Sequence, residues 1–259
     1  MLNLLTAEKI KLIRSKKLWI VLSIFALFPI YQVANSRLAV HYGTELNQAV
    51  DTVINGATGV LMIEKNGLTI LLVMSAFISF FIGEEFQHGT IRNALSLGRS
   101  RTQYYLSKLV VASSLTLVGV TLLTLIGMIG YSMVYGFGEV AGIRDYVPFA
   151  IKSFSTLYLL ILANVSIYVM ISFLTNSSGS SLIWSFLYTI GTGFGAGIFQ
   201  QTEHFKHITF WFTESFLFYS NFAHPADIAR FPEMALVSLI TILLTSAIGM
   251  VKFNSTDIK

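Results

Sequence analysis

Six apolar runs, each long enough to cross a lipid bilayer as a helix, constrain this 259-residue sequence more than any other feature. A helix needs about 17 to 25 mostly apolar residues to span roughly 30 Å of hydrocarbon. The chain is 54% hydrophobic and has a mean hydropathy of +0.69, which is typical of integral membrane proteins. We therefore predict an all-α membrane protein with transmembrane helices in six runs: 18–35, 67–83, 109–135, 153–175, 181–200 and 234–251.

Three segments outside these runs have distinct patterns. Residues 1–17 carry five Lys and Arg among leucines, which predicts an amphipathic N-terminal helix at the membrane interface, with its lysines reaching water. The alternative is a basic segment that only anchors the topology. Residues 208–219 are aromatic and apolar, but they are too short to cross a bilayer and include Glu214. We therefore predict an interfacial or re-entrant segment before the last span, and a short tail over 252–259.

The distribution of positive charge predicts the orientation of the chain. With the N-terminus on the cytoplasmic side, the inner segments hold eleven of the seventeen Lys and Arg, and the outer segments hold six. Lys and Arg are enriched in the cytoplasmic connections of membrane proteins. We therefore predict that both termini and the loop 84–108 are cytoplasmic. The net charge of +4 then reflects topology, and the sequence offers no basic soluble surface for nucleic acid.

The six runs contain no Asp, Glu, Lys, Arg or His. Ionisable side chains inside a membrane are costly and usually mark proton relays or ion-coupled transport, so their absence argues against a secondary transporter. The sequence has no His-Glu-x-x-His motif for zinc, and it has no Gly-Lys dipeptide, so the nucleotide-binding loop GxxxxGK[ST] cannot occur. We predict no catalytic, cofactor or metal site in this chain, and energy for transport must come from another subunit.

The pair Glu84 and Glu85 matches one class of membrane protease only in part. Those proteases have a Glu-Glu pair with an arginine four residues after the second glutamate, and here that position is Gly89. The motif is incomplete, so we expect no enzyme activity from this chain alone.

The polar loop 84–108, between the second and third runs, contains signals for two helices. Thr90 is predicted to cap a short helix over 91–97, and Gly98 is placed to end it. Three apolar residues at i, i+3 and i+4 would form one face of this helix: Ile91, Ala94 and Leu95. A short helix of this kind, parallel to the membrane, is a shape that a cytoplasmic partner can bind.

A second helix is predicted to begin after Ser100, which forms a capping box with Gln103, and to continue through Lys108 into the third span. The alternative for the whole loop is an ordinary cytoplasmic connection whose arginines contact lipid phosphates. Local physics does not decide between the two interpretations.

The order E-E-F-x-x-G-T-I-R-x-x-L-S-x-G-x-S-R-x-x-Y-Y-x-S-K, which residues 84–108 carry, resembles a loop of ABC-2 type transporter permeases. In that family the loop between the second and third spans contains the coupling helix, which docks into a groove on an ATP-binding subunit. The six spans, the basic N-terminal (elbow) helix and the aromatic segment before the last span are similar too. Gly98 stands where many members have proline, which preserves the helix-ending role.

The resemblance implies a permease subunit of an exporter that works as a homodimer, or as a heterodimer with a related permease, on two ATP-binding subunits. Those subunits would hold ATP and magnesium. The acidic pair is expected to meet basic groups on the partner, and two apolar side chains to fill a cleft there. The implied contact surface consists of these residues: Glu84, Glu85, His88, Gly89, Thr90, Ile91, Arg92, Leu95, Arg99 and Arg101.

Within the family, the small single-domain form, the basic N-terminus and the absence of cysteine most resemble permeases that export antimicrobial or amphipathic peptides from Gram-positive bacteria. These include the lantibiotic-immunity and bacitracin-resistance types and the phenol-soluble modulin exporter. The resemblance therefore implies a bacterial cell membrane and a peptide substrate.

Two further patterns are open to more than one interpretation. Small residues spaced by four let helices approach closely, so two such glycine pairs in the fifth run predict a dimer interface, a hinge in the translocation route, or packing within one subunit. The pairs are Gly191 with Gly195 and Gly193 with Gly197. The aromatic segment predicts either a simple interfacial belt or an outer gate that an amphipathic cargo slides past. The gate would consist of Phe210, Trp211, Phe212, Phe216 and Tyr219.

Two other function classes remain open at this stage. A non-transporting membrane interaction or sensor protein could use the same loop to bind a soluble partner. A passive channel would also lack charges in its spans.

Overall fold

The computed structural model describes residues 2–41, 55–59, 67–96, 98–140, 142–202, 206–220, 222 and 225–256. Within these ranges the chain forms α-helices and no strand. The short helices are α1 (Leu2–Arg14), α3 (Gly56–Gly59), α5 (Thr90–Ser96), α9 (Lys206–Thr209), α10 (Thr213–Tyr219) and α11 (Pro225–Ile228). The long helices are α2 (Lys16–His41), α4 (Gly67–Gln87), α6 (Arg101–Tyr135), α7 (Tyr146–Thr175), α8 (Ser178–Gln200) and α12 (Phe231–Ser255).

The six long helices are each long and apolar enough to cross a membrane. This confirms the predicted all-α architecture with six candidate spans. Helix α6 has 35 residues and a length of about 52 Å at 1.5 Å per residue, so it extends well beyond the hydrocarbon. Its extra turns begin at Arg101, as predicted for a helix that follows Ser100 and continues into the third span.

Helices α7 and α4 lie at the centre of the bundle. Helix α7 packs against α12, α4, α6 and α8, and α4 packs against α8 and α7. Several of their buried hydroxyls donate to carbonyls of the preceding turn, as between Ser172 and the Tyr168 carbonyl at 2.8 Å and between Ser75 and the Leu72 carbonyl at 2.8 Å. These hydroxyls are thereby satisfied inside their own helix, as a bilayer interior favours.

The N-terminal segment divides at Ser15 instead of forming one helix over 1–17. Helix α1 ends at Arg14, and the Ser15 hydroxyl accepts a hydrogen bond from the Lys17 backbone N–H at 3.3 Å near the start of α2. Serine is a common residue just before a helix because its side chain can bind free N–H groups there. Helix α1 packs on the N-terminal part of α6, which includes Lys108, and Leu4 is buried.

Helix α10 lies inside the bundle, packed against α8, α7, α4 and α12. Its residues Thr213 to Leu217 are all buried, so the segment is not one that rests only on the surface. This burial agrees with the re-entrant alternative of the sequence analysis.

The two glycine pairs of α8 have different surroundings. A side chain at Gly193 would collide with the ring of Phe218, and one at Gly197 with the hydroxyl of Tyr219. These two glycines therefore let α10 approach α8 within one chain. Gly191 and Gly195 have open space beside them, so their part in a dimer interface stays a prediction.

The aromatic residues of the predicted outer gate differ in their exposure. Phe216 is only 1% exposed and belongs to the core, whereas Trp211 and Tyr219 are 67% and 45% exposed. Phe210 stacks on Phe216 with a centroid distance of 6.1 Å, and Phe212 is partly exposed. Phe216 thus supports the packing of α10, and a gate role for the exposed members stays a prediction.

The tail begins later than predicted. Residues 252–255 add one more turn to α12, which ends at Ser255. Residues 257–259 lie outside the described part of the chain.

Candidate functional site at the end of α4 and α6

A glycine turn separates α4 from the short helix α5. Gly89 has a φ of 66°, a left-handed conformation that glycine adopts without a steric penalty, and its N–H donates to the Phe86 carbonyl at 3.2 Å. Helix α5 begins at Thr90, whose hydroxyl donates to the Glu85 carbonyl at 3.2 Å. The prediction that Thr90 caps α5 is therefore wrong, because this hydroxyl stabilises the end of α4 instead.

The other two predicted turn signals are present. Gly98 has a φ of 78°, and its N–H donates to the Leu95 carbonyl at 3.0 Å after the end of α5. Ser100 caps α6, because its hydroxyl accepts a hydrogen bond from the Gln103 backbone N–H at 3.2 Å. These contacts fix α5 between two defined helix ends.

Helix α5 has the predicted apolar face, but this face packs against the chain itself. Ile91 has no exposed surface, and Ala94 and Leu95 are partly buried against the core. This corrects the expectation that Ile91 fills a cleft on a partner, since its side chain is not available. Leu95 keeps some exposed surface.

The opposite face of α5 and its flanks are exposed. Glu84, Gly89, Leu95 and Arg99 are partly exposed, and among the described residues no ion pair involves Arg92 or Arg99. The exposed residues here are Gln87, His88, Thr90, Arg92, Asn93, Ser96 and Gly98. A partner that approaches this end of the bundle would therefore meet a polar, positively charged surface.

Beneath this surface lies an ion cluster, formed by Glu8, Lys11, Glu85, Tyr104 and Lys108, in which only the Lys11 side chain is exposed. The Lys108 ammonium has no exposed surface and lies 2.5 Å from the Glu8 carboxylate and 2.6 Å from the Glu85 carboxylate. Lys11 pairs with Glu85, and the Tyr104 hydroxyl donates to it. Buried charges persist only when they are paired and hydrogen-bonded, and this cluster meets that condition.

The ion cluster connects three helices. Glu8 and Lys11 come from α1, Glu85 from the end of α4, and Tyr104 and Lys108 from the start of α6. This corrects the expectation that Glu85 meets basic groups on a partner, because internal cations and a hydroxyl already bind its carboxylate.

The comparison with known protein families matches most of the chain. The profile of the family described as "ABC-2 family transporter protein" matches residues 4–192, which include α1, the ion cluster and α5. The chain belongs to the ABC-2 transporter family. No curated protein matches it.

Family membership identifies the chain as a transmembrane permease subunit of an ABC transporter. ATP hydrolysis in such transporters belongs to a separate ATP-binding subunit, with which the permease associates. The six apolar helices agree with a multi-pass membrane protein. Within the described residues, no group of three or more His, Asp or Glu could hold a metal ion.

Two outer members of the predicted surface of this permease also bind within the chain. Glu84 pairs with Lys17 of α2, while both side chains keep more than a third of their surface exposed. Arg101 donates through Nη1 to the carbonyls of Phe253 at 2.8 Å, Asn254 at 3.1 Å and Thr256 at 2.5 Å. A cation at these carbonyls stabilises the C-terminal end of α12. Arg101 therefore connects α6 to α12 and is not a free flanking charge.

Sequence reasoning missed the permease's Glu8 and assigned Lys108 only to the positive charge of the loop. A signal for both exists in the sequence. Glu8 is the one acidic residue among the basic side chains of segment 1–17, and Lys108 directly precedes a long apolar run. Each charge lies where a complementary partner would be needed.

Proposed function

We propose that this permease lets an ATP-binding subunit drive the export of amphipathic peptides, with α5 as the coupling helix. The observation that carries the proposal is the two-sided packing of α5. Its apolar side is fixed inside the chain through Ile91, and its polar side presents Arg92, Asn93 and Ser96 to the surroundings, next to the exposed His88 in the preceding turn. A helix held in this way transmits a push and still offers a docking surface.

The route from α5 into the bundle runs through the contacts beneath it. Glu85 binds α1 and α6 through the ion cluster, and Arg101 binds the end of α12. Movement of α5 by a partner would therefore reach four helices at once. Such movement would rock the bundle between inward-facing and outward-facing arrangements, while ATP and magnesium stay on the partner.

The cargo class has support from the shape of one groove. A cavity of about 550 Å³ lies between α2 and α4, lined by apolar side chains such as Ile24, Val73 and Phe77, with Lys17 and Glu84 at one end. An apolar groove with charged groups at one end suits an amphipathic molecule. The apolar part of the molecule would lie in the groove, and its polar part at the charged groups. We infer a peptide of this character.

The assembly would contain two permeases and two ATP-binding subunits in a bacterial cell membrane, with both permease termini in the cytoplasm. The exposed face of α8, with Gly191, Gly195 and the 72%-exposed Phe194, is the proposed contact with a second permease. Whether that second chain is identical or related is a question for the purified complex.

The first experiment is isolation of the permease from its native membrane in mild detergent, with mass spectrometry of the proteins that accompany it. We expect a stoichiometric ATP-binding subunit. The docking surface is then tested by cross-linking, because the chain has no cysteine and Asn93→Cys adds a single exposed thiol. A thiol-to-amine cross-linker should join Asn93→Cys to the ATP-binding subunit.

The matched control is Arg144→Cys, which places an equally exposed thiol in a connection predicted to lie on the opposite side. It should give no cross-link to that subunit. Equal cross-linking at both positions, or none at Asn93→Cys in the intact complex, would contradict the docking proposal.

The cargo is tested in inside-out vesicles with a fluorescent amphipathic peptide. ATP-dependent accumulation is expected, and the exposed-face variant Arg92→Glu should reduce it while Arg144→Glu should not. A complex that hydrolyses ATP but moves no peptide would overturn the cargo class. A partner without ATPase activity would favour the non-transporting interaction protein.

A further inference from the structure

The Glu214 carboxyl lies inside the helix bundle, although the six spans themselves contain almost no charge in their centres. It has no exposed surface. The Thr213 hydroxyl donates to its Oε2 at 3.3 Å, and Asn164 of α7 donates to that hydroxyl at 3.0 Å. The hydroxyls of Tyr188 and Thr192, both on α8, also lie beside the carboxyl. Every one of these neighbours is uncharged.

The titratable groups on the helices packed against α10 provide no cation for this carboxyl. Helix α7 faces it with Tyr168 and α8 with Tyr188. The acids of α4 are Glu84 and Glu85, which are bound to lysines elsewhere. At the start of α12, Glu233 pairs with Arg230 at 3.0 Å. The Arg230 guanidinium itself lies over the Phe210 ring at 3.7 Å, and in the described residues no ion pair involves Glu214.

A carboxylate in such surroundings is unfavourable, because it gives up its hydration without gaining an opposite charge. Burial therefore raises the pKa of the Glu214 carboxyl above its ordinary value, and the hydrogen bonds from neighbouring groups oppose this shift without reversing it. The Glu214 Oε1 atom is buried and has no hydrogen-bond partner. Both observations favour a neutral acid over an ionised one.

We propose that Glu214 is a proton-binding site within the bundle, and that α10 stays docked between α7 and α8 only while this carboxyl holds its proton. The bound proton removes the charge that packing cannot accommodate. The contribution to docking is complete at a pH below the ordinary carboxyl pKa, and it is lost as the pH rises through the raised pKa. The inference depends on the packing of this chain alone, so it stands or falls separately from the ATPase partner and the cargo.

The proton is detected by infrared spectroscopy of the purified full-length permease in lipid nanodiscs. A protonated carboxylic acid has a carbonyl stretch distinct from that of a carboxylate, and the band is assigned by its loss in Glu214→Gln. We expect the band at neutral pH and its disappearance as the pH is raised. The exposed acid in Glu233→Gln is the matched control and should leave the band unchanged.

Two results would overturn the proton site. One is the absence of the Glu214 band at neutral pH in folded protein. The other is a band that appears only when sodium and potassium are replaced by choline, because an alkali cation would then occupy the site in place of the proton.

Docking of α10 is measured with a second, independent readout. Ser215 is buried next to Glu214, so Ser215→Cys in this cysteine-free chain gives a thiol that a maleimide reaches only when α10 leaves the bundle. Its labelling rate is divided by that of the exposed Tyr219→Cys to remove the intrinsic pH dependence of thiols. Between the ordinary carboxyl pKa and the raised pKa, this ratio should increase by about tenfold per pH unit, as expected for release of one proton, and it should level off above the raised pKa.

Glu214→Gln in the Ser215→Cys background should keep the ratio low at every pH, since the amide is always neutral. A ratio that does not change with pH while the infrared band titrates would overturn the link between the proton and docking.

Discussion

A single lysine side chain holds the neighbouring ends of three helices together. Lys108 contacts two carboxylates, Glu8 and Glu85, and its ammonium also lies 4.5 Å from the centroid of the Phe81 ring. Removing one member of a buried ion pair costs more than the pair contributes, because the remaining charge stays buried without compensation. The cluster is therefore most sensitive at its shared cation.

Replacement of this cation tests that view. Lys108→Met keeps the length of the side chain but leaves Glu8 without its partner, and we expect a loss of about 3–5 kcal/mol in unfolding free energy. Thermal unfolding in detergent measures the change as a lower melting temperature. Lys252→Met, on the exposed part of α12, is the control and should have little effect.

The double variant Glu8→Gln/Lys108→Met should recover part of the lost stability, since it also removes the unpaired charge of Glu8. A single variant as stable as Lys252→Met, or a double variant less stable than Lys108→Met alone, would show that the cluster does not stabilise the fold.

At the scale of elements, two short helices have opposite relations to the bundle. Helix α5 lies at the end of the bundle and keeps one face exposed. Helix α10 lies between long helices, and its first five residues are all buried. The insertion of α10 depends on α8 having no side chain at Gly193, where the Phe218 ring packs. Close packing of this kind tolerates little added volume.

A pair of substitutions on α8 separates the two glycine faces. Gly193→Val should displace the Phe218 ring and destabilise the docking of α10, at a cost of about 1–3 kcal/mol for overpacking. Gly191→Val makes the same chemical change on the same helix where space is open. Thermal unfolding of the isolated permease should show a lower melting temperature for the first variant alone. Equal losses would indicate a helix-propensity effect.

The sequence predicts elements better than their contacts. The six spans follow from apolar length, and the face of α5 follows from the spacing of Ile91 and Leu95. Spacing does not show what that face contacts. The sequence therefore predicts that Ile91 fills a cleft on a partner, whereas the structure places this side chain in the chain's own core. The pairing of Glu8 with Lys108 crosses 100 positions, and no local pattern encodes it. Glu214 marked its segment as too polar to span, but only the packing of α10 reveals its burial.

At the scale of the whole molecule, the contacts at one end of the bundle form a connected group. The ion cluster, α5 and the capped end of α12 all lie there, and the predicted orientation places them in the cytoplasm. The connections from α2 to α4, from α6 to α7 and from α8 to α12 would then face outwards, together with the start of α12.

Single cysteines test the orientation directly. We expect Ser96→Cys to react with a membrane-impermeant maleimide only in inside-out vesicles, because Ser96 is exposed at the end of α5. Arg144→Cys, exposed in the connection before α7, should react only in right-side-out vesicles. The reverse pattern would place α5 outside the cell and remove the basis for coupling to a cytoplasmic ATPase.

The two-residue connection between α7 and α8 has a consequence for biosynthesis. Only Asn176 and Ser177 separate these helices, and Asn176 reverses the chain with a φ of 53°. A connection this short favours entry of both helices into the bilayer together, as a helical hairpin, while the ribosome is still making the rest of the chain. The Asn164 amide and the hydroxyls of Tyr188 and Thr192 would then be in the membrane before Glu214 is translated.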